Sequence, residues 1–497
     1  MRIEGGQAFM KLSELIEGLD GPDVEITGIT ADSREVRDGF LFAALPGVVV
    51  DGAKFIDQAL SQGAGAILTH ENYEGSLPEG VPLLQQVDPR LGLAELSARF
   101  YSPQPDLIVG VTGTNGKTSV ASFVRQIWEQ TGIDGASLGT IGVVSKHGSK
   151  KLDHTTPDPV TLHKALKELT EQGVDHLALE ASSHGLAQRR LDGLNFTAAA
   201  FTNITRDHLD YHETFEAYFN EKKRLFSELL GENGIAVIDA DAPGAGRVIE
   251  VCEARHINVM TIGRQGRYLN LKKSEISGFS QKLTLVHHRG TSEIDLPLVG
   301  DFQASNVLVA AALVAAGGVS ILEILPVLET LKGPKGRLEL AGSKDFIKET
   351  GKELSQRAPV FIDYAHTPDA LETAIKALLP YKQGRLHVVF GCGGDRDKGK
   401  RPMMGEIASR LADCVYVTDD NPRGEDPSVI RSEIMAAAKG AQEIGDRALA
   451  IQTAVDGLSS GDILLVAGKG HETGQIVGSE ILPFSDHEAV ETALENN

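Results

Sequence analysis

The run Gly110-Val111-Thr112-Gly113-Thr114-Asn115-Gly116-Lys117-Thr118 lies between an apolar stretch and an amphipathic one, and its residue types suit the holding of a polyphosphate. Small residues let backbone N–H groups turn inward around phosphate oxygens, and the N-terminus of a following helix favours negative charge. In such a loop Lys117 reaches the β- and γ-phosphates and the Thr118 hydroxyl is a magnesium ligand. The common P-loop pattern puts a glycine where Val111 stands, so a tight turn serving only strand-to-helix packing is the competing reading. The Gly-Lys-Thr context favours a nucleotide triphosphate. No Asn-Lys-x-Asp guanine reader occurs, which argues against a GTPase switch. A dinucleotide fingerprint fails as well, because its sixth position is Arg396 counted from Gly391 and Thr473 counted from Gly468.

Two further clusters follow the loop. Leu177-Ala178-Leu179 reads as a strand ending at Glu180, and Ala181-Ser182-Ser183-His184-Gly185 comes next. A carboxylate there is placed to hold magnesium on the γ-phosphate, and the serines serve equally well as a helix cap. Ala199-Ala200-Phe201 then leads into Thr202 to His212, where Asp207, His208, Asp210 and His212 are dense potential ligands; hard cations prefer oxygen, so polar loop packing is the rival account of His208. Lys222, inside Glu221-Lys222-Lys223-Arg224, reads on sequence alone as part of a solvated helix face. Asp420-Asn421-Pro422-Arg423 reads alone as a turn before a helix.

The elements that must position these residues alternate between short β-type runs and helical patterns, which means α/β with parallel sheets. At 497 residues the chain should hold about three domains. Ser102-Pro103-Gln104-Pro105 and Gly333-Pro334-Lys335-Gly336 mark the boundaries, giving 1–104, 105–333 and 334–497. In the first, the polar loop Asp32-Ser33-Arg34 precedes an apolar run at Phe40 to Ala44; in the last, Val360 to Ile362, Leu386 to Phe390 and Ile463 to Val466 read as strands. The latter two run into glycine, and loops at the carboxyl ends of strands are where open α/β sheets bind ligands. Val307 to Leu328 is the most apolar stretch, but its interruptions by Gly317, Gly318, Ser320, Glu323 and Pro326 predict buried helices rather than a membrane span, and Ser343 to Arg357 is expected to be a polar surface excursion.

A formal charge of -21 argues against nucleic acid or an anionic membrane as main partner. Cys252, Cys392 and Cys414 have no metal-ligand spacing and suit a reducing cytoplasm; the first residues lack a signal-peptide pattern, and Met10 is an alternative start to Met1.

Taken together, Gly113 to Thr118, Glu180 to Gly185, Thr202 to His212, Gly336-Arg337-Leu338-Glu339 and Asp363-Tyr364-Ala365-His366-Thr367-Pro368-Asp369 resemble, in order, the signatures of the Mur ligase family across nearly the whole chain. The resemblance implies a small N-terminal α/β domain for UDP, a central P-loop ATPase-like parallel-sheet domain and a C-terminal Rossmann-like domain. It further implies a cytoplasmic, monomeric, ATP-dependent ligase of peptidoglycan synthesis that works through an acyl phosphate. ATP would lie on Gly113, Thr114, Asn115, Gly116, Lys117, Thr118 and Ser119, with Asn306, Arg337 and Asp363 toward its other parts; Gln303 stands where the family usually has asparagine. Thr118, Glu180, His208 and Lys222 would hold magnesium, Lys222 as the carbamate (N6-carboxylysine), and Lys117, Lys222, His208 and Glu180 would be the catalytic set. Thr155-Thr156-Pro157-Asp158 and Ser182 to Arg190 match the muramoyl-dipeptide site, so Thr155, Thr156, Ser182, Gln188 and Arg190 would bind the dipeptide and Ser33 the UDP moiety. Asp420, Asn421, Pro422 and Arg423 look like the form that takes meso-diaminopimelate, with Arg396, Gly468 and Glu472 completing that pocket. A guanidinium at Arg423 would pair with the distal carboxylate and repel the ε-ammonium of lysine. Folylpolyglutamate synthase shares the cradle and the acyl-phosphate logic but gives no reason for Asp420 to Arg423.

Overall fold

Three sheets, one wholly parallel and two mixed around a parallel centre, carry the architecture. The computed structural model describes residues 2–4, 7–19, 21–47, 50–345 and 357–496, without the side chains of 2–8, 209 and 210. Its contacts divide the chain into two compact units, residues 1–270 with 308–327, and residues 271–307 with 328–497. Among the described residues no helix is long and apolar enough to cross a membrane.

The first unit opens with a parallel four-stranded sheet, Gly28–Thr30, Phe40–Ala43, Ala66–His70 and Leu83–Gln86, in chain order. Apolar clusters around Leu41 and Leu68 on one side and Phe42 and Ile67 on the other bury both faces. A parallel sheet needs such double cover, which is why its strands read as continuous apolar runs.

The larger sheet of this unit places Leu107–Thr112 between His176–Glu180 and Phe196–Phe201, all three parallel. Gly135–Gly139 lies beyond the former, and Leu230–Asp239 and Asn258–Gly263 beyond the latter. The helix Lys117–Gln130 buries Val120, Phe123, Val124, Ile127 and Trp128, a one-faced helical spacing. It starts where Gly116 takes φ 89°, a left-handed conformation that glycine adopts without Cβ strain. Asp158 caps the helix Pro159–Glu171 through the N–H groups of Val160 and Thr161 at 3.0 and 3.1 Å.

The second unit holds a six-stranded sheet ordered Glu339–Asp345, Arg357–Asp363, Ile463–Ala467, Leu386–Phe390, Cys414–Val417 and Gln442–Glu443. The first strand is antiparallel and the rest are parallel. Here the sequence expectation of a loose excursion from Ser343 to Arg357 needs correction at its ends: Ser343 to Asp345 pair with Pro359 to Arg357 as sheet edge. Residues 346–356 lie outside the described residues. The apolar run 307–328 is helical as expected, in Asp301–Ala316 and Ile321–Val327.

Candidate active site

In the first unit three neighbouring strands end side by side, and their carboxyl-end loops are the phosphate-type loop, the Glu180 to Ser183 loop and the Thr202 to His212 loop. Sheet order thus joins segments that are far apart in sequence. The Thr114 N–H donates to the Asn203 carbonyl at 3.0 Å and the Asn115 N–H to Asn203 Oδ1 at 3.0 Å, while Thr202 Oγ1 donates to the Asn115 carbonyl at 2.6 Å. Gly113 has φ 151°, and a Cβ there would meet Thr202 Oγ1 at 2.0 Å, so only glycine fits this approach. Lys117 Nζ folds back onto the carbonyls of Gly113 and Thr114 at 2.9 and 2.8 Å.

Glu180 is 2% exposed. Its Oε2 accepts from Thr118 Oγ1 at 3.0 Å and Thr140 Oγ1 at 3.2 Å, and its Oε1 accepts from the Thr140 N–H at 2.8 Å. A buried carboxylate held by hydroxyls and one N–H, beside a phosphate-type loop, is a hard-oxygen donor set of the kind magnesium takes. Among the described residues no group of three His, Cys, Asp or Glu side chains forms a metal cluster. Gly139 matters for this geometry: a Cβ on it would meet Glu180 Oε1 at 2.0 Å. Gly139→Ala is expected to turn the carboxylate away and to raise the magnesium concentration giving half-maximal activity by roughly tenfold, about 1.4 kcal/mol; a magnesium titration of initial rates checks it.

For Lys222 the structure corrects the solvated helix face that local composition alone suggests. The Lys222 side chain is 1% exposed, not solvated, because the helix Phe215–Arg224 buries Tyr218, Phe219 and Lys222 on one face. Nζ donates to the Gly113 carbonyl at 2.8 Å and lies 4.5 Å from the centre of the Tyr218 ring. Burial first, and the Lys117 ammonium second, push this amine well below the ordinary lysine value, with Asp207 opposing. A neutral amine is the form that adds carbon dioxide, and Lys117, bonded to the same carbonyl, would face the resulting carbamate with a positive charge.

His208 adopts φ 51°, is 46% exposed, and places its ring 4.9 Å from that of His184 and 6.2 Å from that of Tyr218. Ser182 does cap the helix Ser183–Ala187, accepting from the Gly185 N–H at 3.1 Å. Thr155 Oγ1 lies 3.0 Å from Thr140 Oγ1, and Thr156 Oγ1 donates to the Glu180 carbonyl at 2.7 Å. Arg190 donates to the Thr156 carbonyl at 2.6 Å and to Gln188 Oε1 at 2.8 Å, and the Ser182 N–H donates to Thr156 Oγ1 at 3.1 Å, so Thr156, Ser182, Gln188 and Arg190 are directly connected, while Thr155 joins them through Thr140 and Glu180. Ser33, buried in the first sheet's loop region, donates to Gln58 Oε1 at 3.2 Å. Sequence reasoning missed Thr140 and Tyr218; Gly139 before a hydroxyl at a strand end was the available signal for the former.

The second unit repeats the design. The strands ending at Asp363, Phe390, Val417 and Ala467 are neighbours, and their following loops contain Tyr364 to Thr367, Gly391 to Arg396, Thr418 to Arg423 and Gly468 to Glu472. Asp363 accepts from the N–H groups of Leu338 at 2.6 Å and Ala365 at 2.8 Å. Burial pushes its carboxyl up to about 6, against Arg337 and those two N–H groups, which favour the ion. Arg337 lies 4.8 Å from the Tyr364 ring centre, Gln303 Nε2 reaches the Arg337 carbonyl at 3.4 Å, and Asn306 donates to Gln303 Oε1 at 3.2 Å. Asn306, Arg337 and Asp363 belong to this unit, whereas Gly113 to Ser119 belong to the other.

Arg423 takes φ 53° and is fixed by its own backbone, N–H to the Ile476 carbonyl at 3.0 Å and carbonyl from the Gly478 N–H at 2.7 Å. Its NH1 donates to the Gly394 carbonyl at 2.9 Å, which leaves the Nε and NH2 edge without a protein partner among the described residues. Asp420 and Asn421 are buried, and Asn421 Nδ2 donates to Glu472 Oε2 at 2.9 Å. Gly468 has φ 117°, and a Cβ there would meet Asp420 Oδ2 at 2.7 Å. Pro422 presents its carbonyl to Gly394, where a Cβ would clash at 1.9 Å, and Arg396 donates to the Asp395 carbonyl at 3.2 Å. The buried ion pair Arg447–Asp486, at 2.7 and 2.8 Å, braces the floor through the Ala467 carbonyl. Sequence reading missed this pair and also Lys469.

These two constellations, phosphate-type and carboxylate-type, define a nucleotide-driven ligase of α/β build. Family models for the Mur ligase catalytic domain, the Mur ligase middle domain and the Mur ligase glutamate ligase domain match residues 25–101, 111–314 and 347–470. The chain belongs to the Mur ligase family and has its three-domain α/β architecture. It is 52% identical over 495 residues, 99% of this chain and 98% of the relative, to the UDP-N-acetylmuramoyl-L-alanyl-D-glutamate--2,6-diaminopimelate ligase of Agrobacterium fabrum. A solved structure of a ligase of that same description matches with TM-score 0.72 and 32% identity, covering 98% of this chain and 99% of that one. Folylpolyglutamate synthase of Mycobacterium tuberculosis shares the fold at TM-score 0.60 and 19% identity, covering 76% of this chain and 92% of that one.

Proposed function

We propose that this chain is an ATP-dependent ligase that joins meso-2,6-diaminopimelate to UDP-N-acetylmuramoyl-L-alanyl-D-glutamate in cytoplasmic peptidoglycan synthesis, acting as a monomer with boundaries near 104 and 333. The observation that carries the choice of amino acid is Arg423, whose NH1 is held by the Gly394 and Asn421 carbonyls while the side chain of the same Asn421 reaches Glu472. A carboxylate binds the guanidinium's Nε and NH2 edge bidentately, and Glu472 takes an ammonium.

The reaction has two steps. An oxygen of the D-glutamyl γ-carboxylate attacks the γ-phosphorus of ATP, and the bond to the ADP oxygen breaks. The diaminopimelate amine then attacks the acyl carbon, inorganic phosphate leaves with the oxygen that came from the carboxylate, and the amine nitrogen gives up its proton. Lys117 and the loop N–H groups from Gly113 to Ser119 hold the polyphosphate and offset the negative charge gathered on it. Thr118, Glu180, His208 and a carbamylated Lys222 would hold magnesium, which when bound supplies charge neutralisation at the transferring phosphoryl group. Thr155, Thr156, Ser182, Gln188 and Arg190 bind the dipeptide, Ser33 the UDP moiety, and Asn306, Arg337 and Asp363 the adenosine and phosphates. Asp420, Pro422, Arg396 and Gly468 complete the amino-acid pocket.

The acyl phosphate is tested by placing a heavy-oxygen label in the γ-carboxylate of the dipeptide substrate. One labelled oxygen is expected in the released phosphate. Unlabelled phosphate alongside a correctly formed amide would rule the intermediate out.

A further inference from the structure

Lys469 is a fully buried lysine that no part of the proposed chemistry uses. It sits between Gly468 and Gly470, both with left-handed backbone, φ 117° and 54°. Neither accepts a side chain: a Cβ would meet Asp420 Oδ2 at 2.7 Å in the first and the Tyr364 Cβ at 2.8 Å in the second. That pair of turns drives the lysine inward, at the cost of two positions only glycine can fill. Its Nζ donates to Asn421 Oδ1 at 3.0 Å and to Glu472 Oε2 at 3.1 Å. Asn421 Nδ2 donates to the same Glu472 oxygen at 2.9 Å, and the Ile476 N–H holds Asn421 Oδ1 at 2.9 Å. Ammonium, amide and carboxylate close a triangle that ties together the loops after the strands Cys414–Val417 and Ile463–Ala467, which flank Leu386–Phe390, and the hairpin strand Gly474–Val477.

Both donors of the triangle fall on Oε2. Glu472 Oε1 has no protein partner among the described residues, and the side chain is 31% exposed. We propose that Lys469 is a positioning and selectivity residue for the incoming amino acid: it pins Glu472 so that one oxygen faces the substrate ammonium, and it cancels the Glu472 charge. This rests on the reading of Glu472 as the ammonium partner. With Lys469 and Glu472 forming a neutral pair, the Glu472 carboxylate no longer offsets the positive charge of Arg423. An end group bearing carboxylate and ammonium together is then accepted, and one bearing only an ammonium is repelled. Lys469 thus acts through Glu472, not on the reacting atoms.

The test uses the full chain with Lys469→Met, Glu472→Gln and the double variant, and Lys469→Gln as a second removal of the charge should methionine impair folding. Lys469→Met is expected to raise KM for diaminopimelate by roughly tenfold or more, about 1.4 kcal/mol or above. KM for ATP stays within about twofold and lysine gains relative to diaminopimelate. In the Glu472→Gln background the same change should add roughly less than threefold, since interacting residues are not additive. Equal rises in KM for ATP and the amino acid, fully additive effects, or unchanged KM and selectivity would each overturn the proposal. If the unaltered chain itself turns over no diaminopimelate, the functional reading fails instead, and the two failures are told apart.

Discussion

Replacing Lys222 by methionine is expected to lower kcat by roughly 1000-fold, about 4 kcal/mol of transition-state stabilisation, while KM for the amino acid changes little. The side chain is 1% exposed and converges with Lys117 on the Gly113 carbonyl. Burial penalises the charge on this amine, and the Lys117 ammonium at the same oxygen repels it further, so its pKa is pushed well below the ordinary lysine value. Addition of carbon dioxide to that nitrogen forms an N–C bond, releases one proton and leaves an anion facing Lys117. Repulsion becomes attraction without any backbone change. Methionine has the length and apolar body to fill the same space, so folding should survive and the loss should lie in kcat. Single-turnover ADP formation measures it, and intact-protein mass of the unaltered chain should show a carbon dioxide adduct that Lys222→Met lacks. Near-normal turnover by Lys222→Met would remove the lysine from the mechanism.

The second large effect is expected at Arg423. Arg423→Ala should reduce kcat/KM for meso-diaminopimelate by roughly 100- to 1000-fold, about 3–4 kcal/mol, the cost of removing one partner from a desolvated charge pair. KM for ATP should stay within about twofold, because loss of uniform binding to one substrate leaves the others alone. Arg423→Lys should recover little, since a point ammonium cannot reproduce a two-point contact with a planar carboxylate. The backbone of Arg423 is independently fixed by Ile476 and Gly478, so truncation of the side chain should not unfold the loop. Initial rates against diaminopimelate concentration check this, and an unchanged kcat/KM would place the recognition elsewhere.

Much of this was legible in the sequence, for identifiable reasons. Gly113 to Thr118 could be read because a phosphate loop is local: turn, helix start, lysine and hydroxyl follow one another within a single segment. The strands read well because double-sided burial makes them apolar almost throughout, as in Leu177-Ala178-Leu179 and, apart from His387, Leu386 to Phe390. Local composition misplaced Lys222, which the family resemblance alone assigned to the site, because Glu221-Lys222-Lys223-Arg224 has the composition of a solvated face and only the packing of Tyr218 and Phe219 reveals which side of the helix is inside. Thr140 stayed hidden because its hold on Glu180 depends on sheet order, which puts Gly135–Gly139 next to His176–Glu180. Lys469 stayed hidden for a different reason. A lysine between glycines looks like a loop tip, and its inward direction follows from two left-handed residues and the neighbours that forbid a Cβ there. Family resemblance supplied what neither pattern nor propensity contains, the link between Asp420 to Arg423 and a particular amino acid.

The most direct test of that link is ADP release by the full chain, with ATP, magnesium and the UDP-linked muramoyl dipeptide held constant and meso-diaminopimelate, L-lysine or L-ornithine as the only variable. The account predicts turnover with diaminopimelate at least roughly 100-fold above either other amino acid, a discrimination of about 3 kcal/mol set at Arg423. Equal rates with lysine, or no turnover with any of the three, would contradict it.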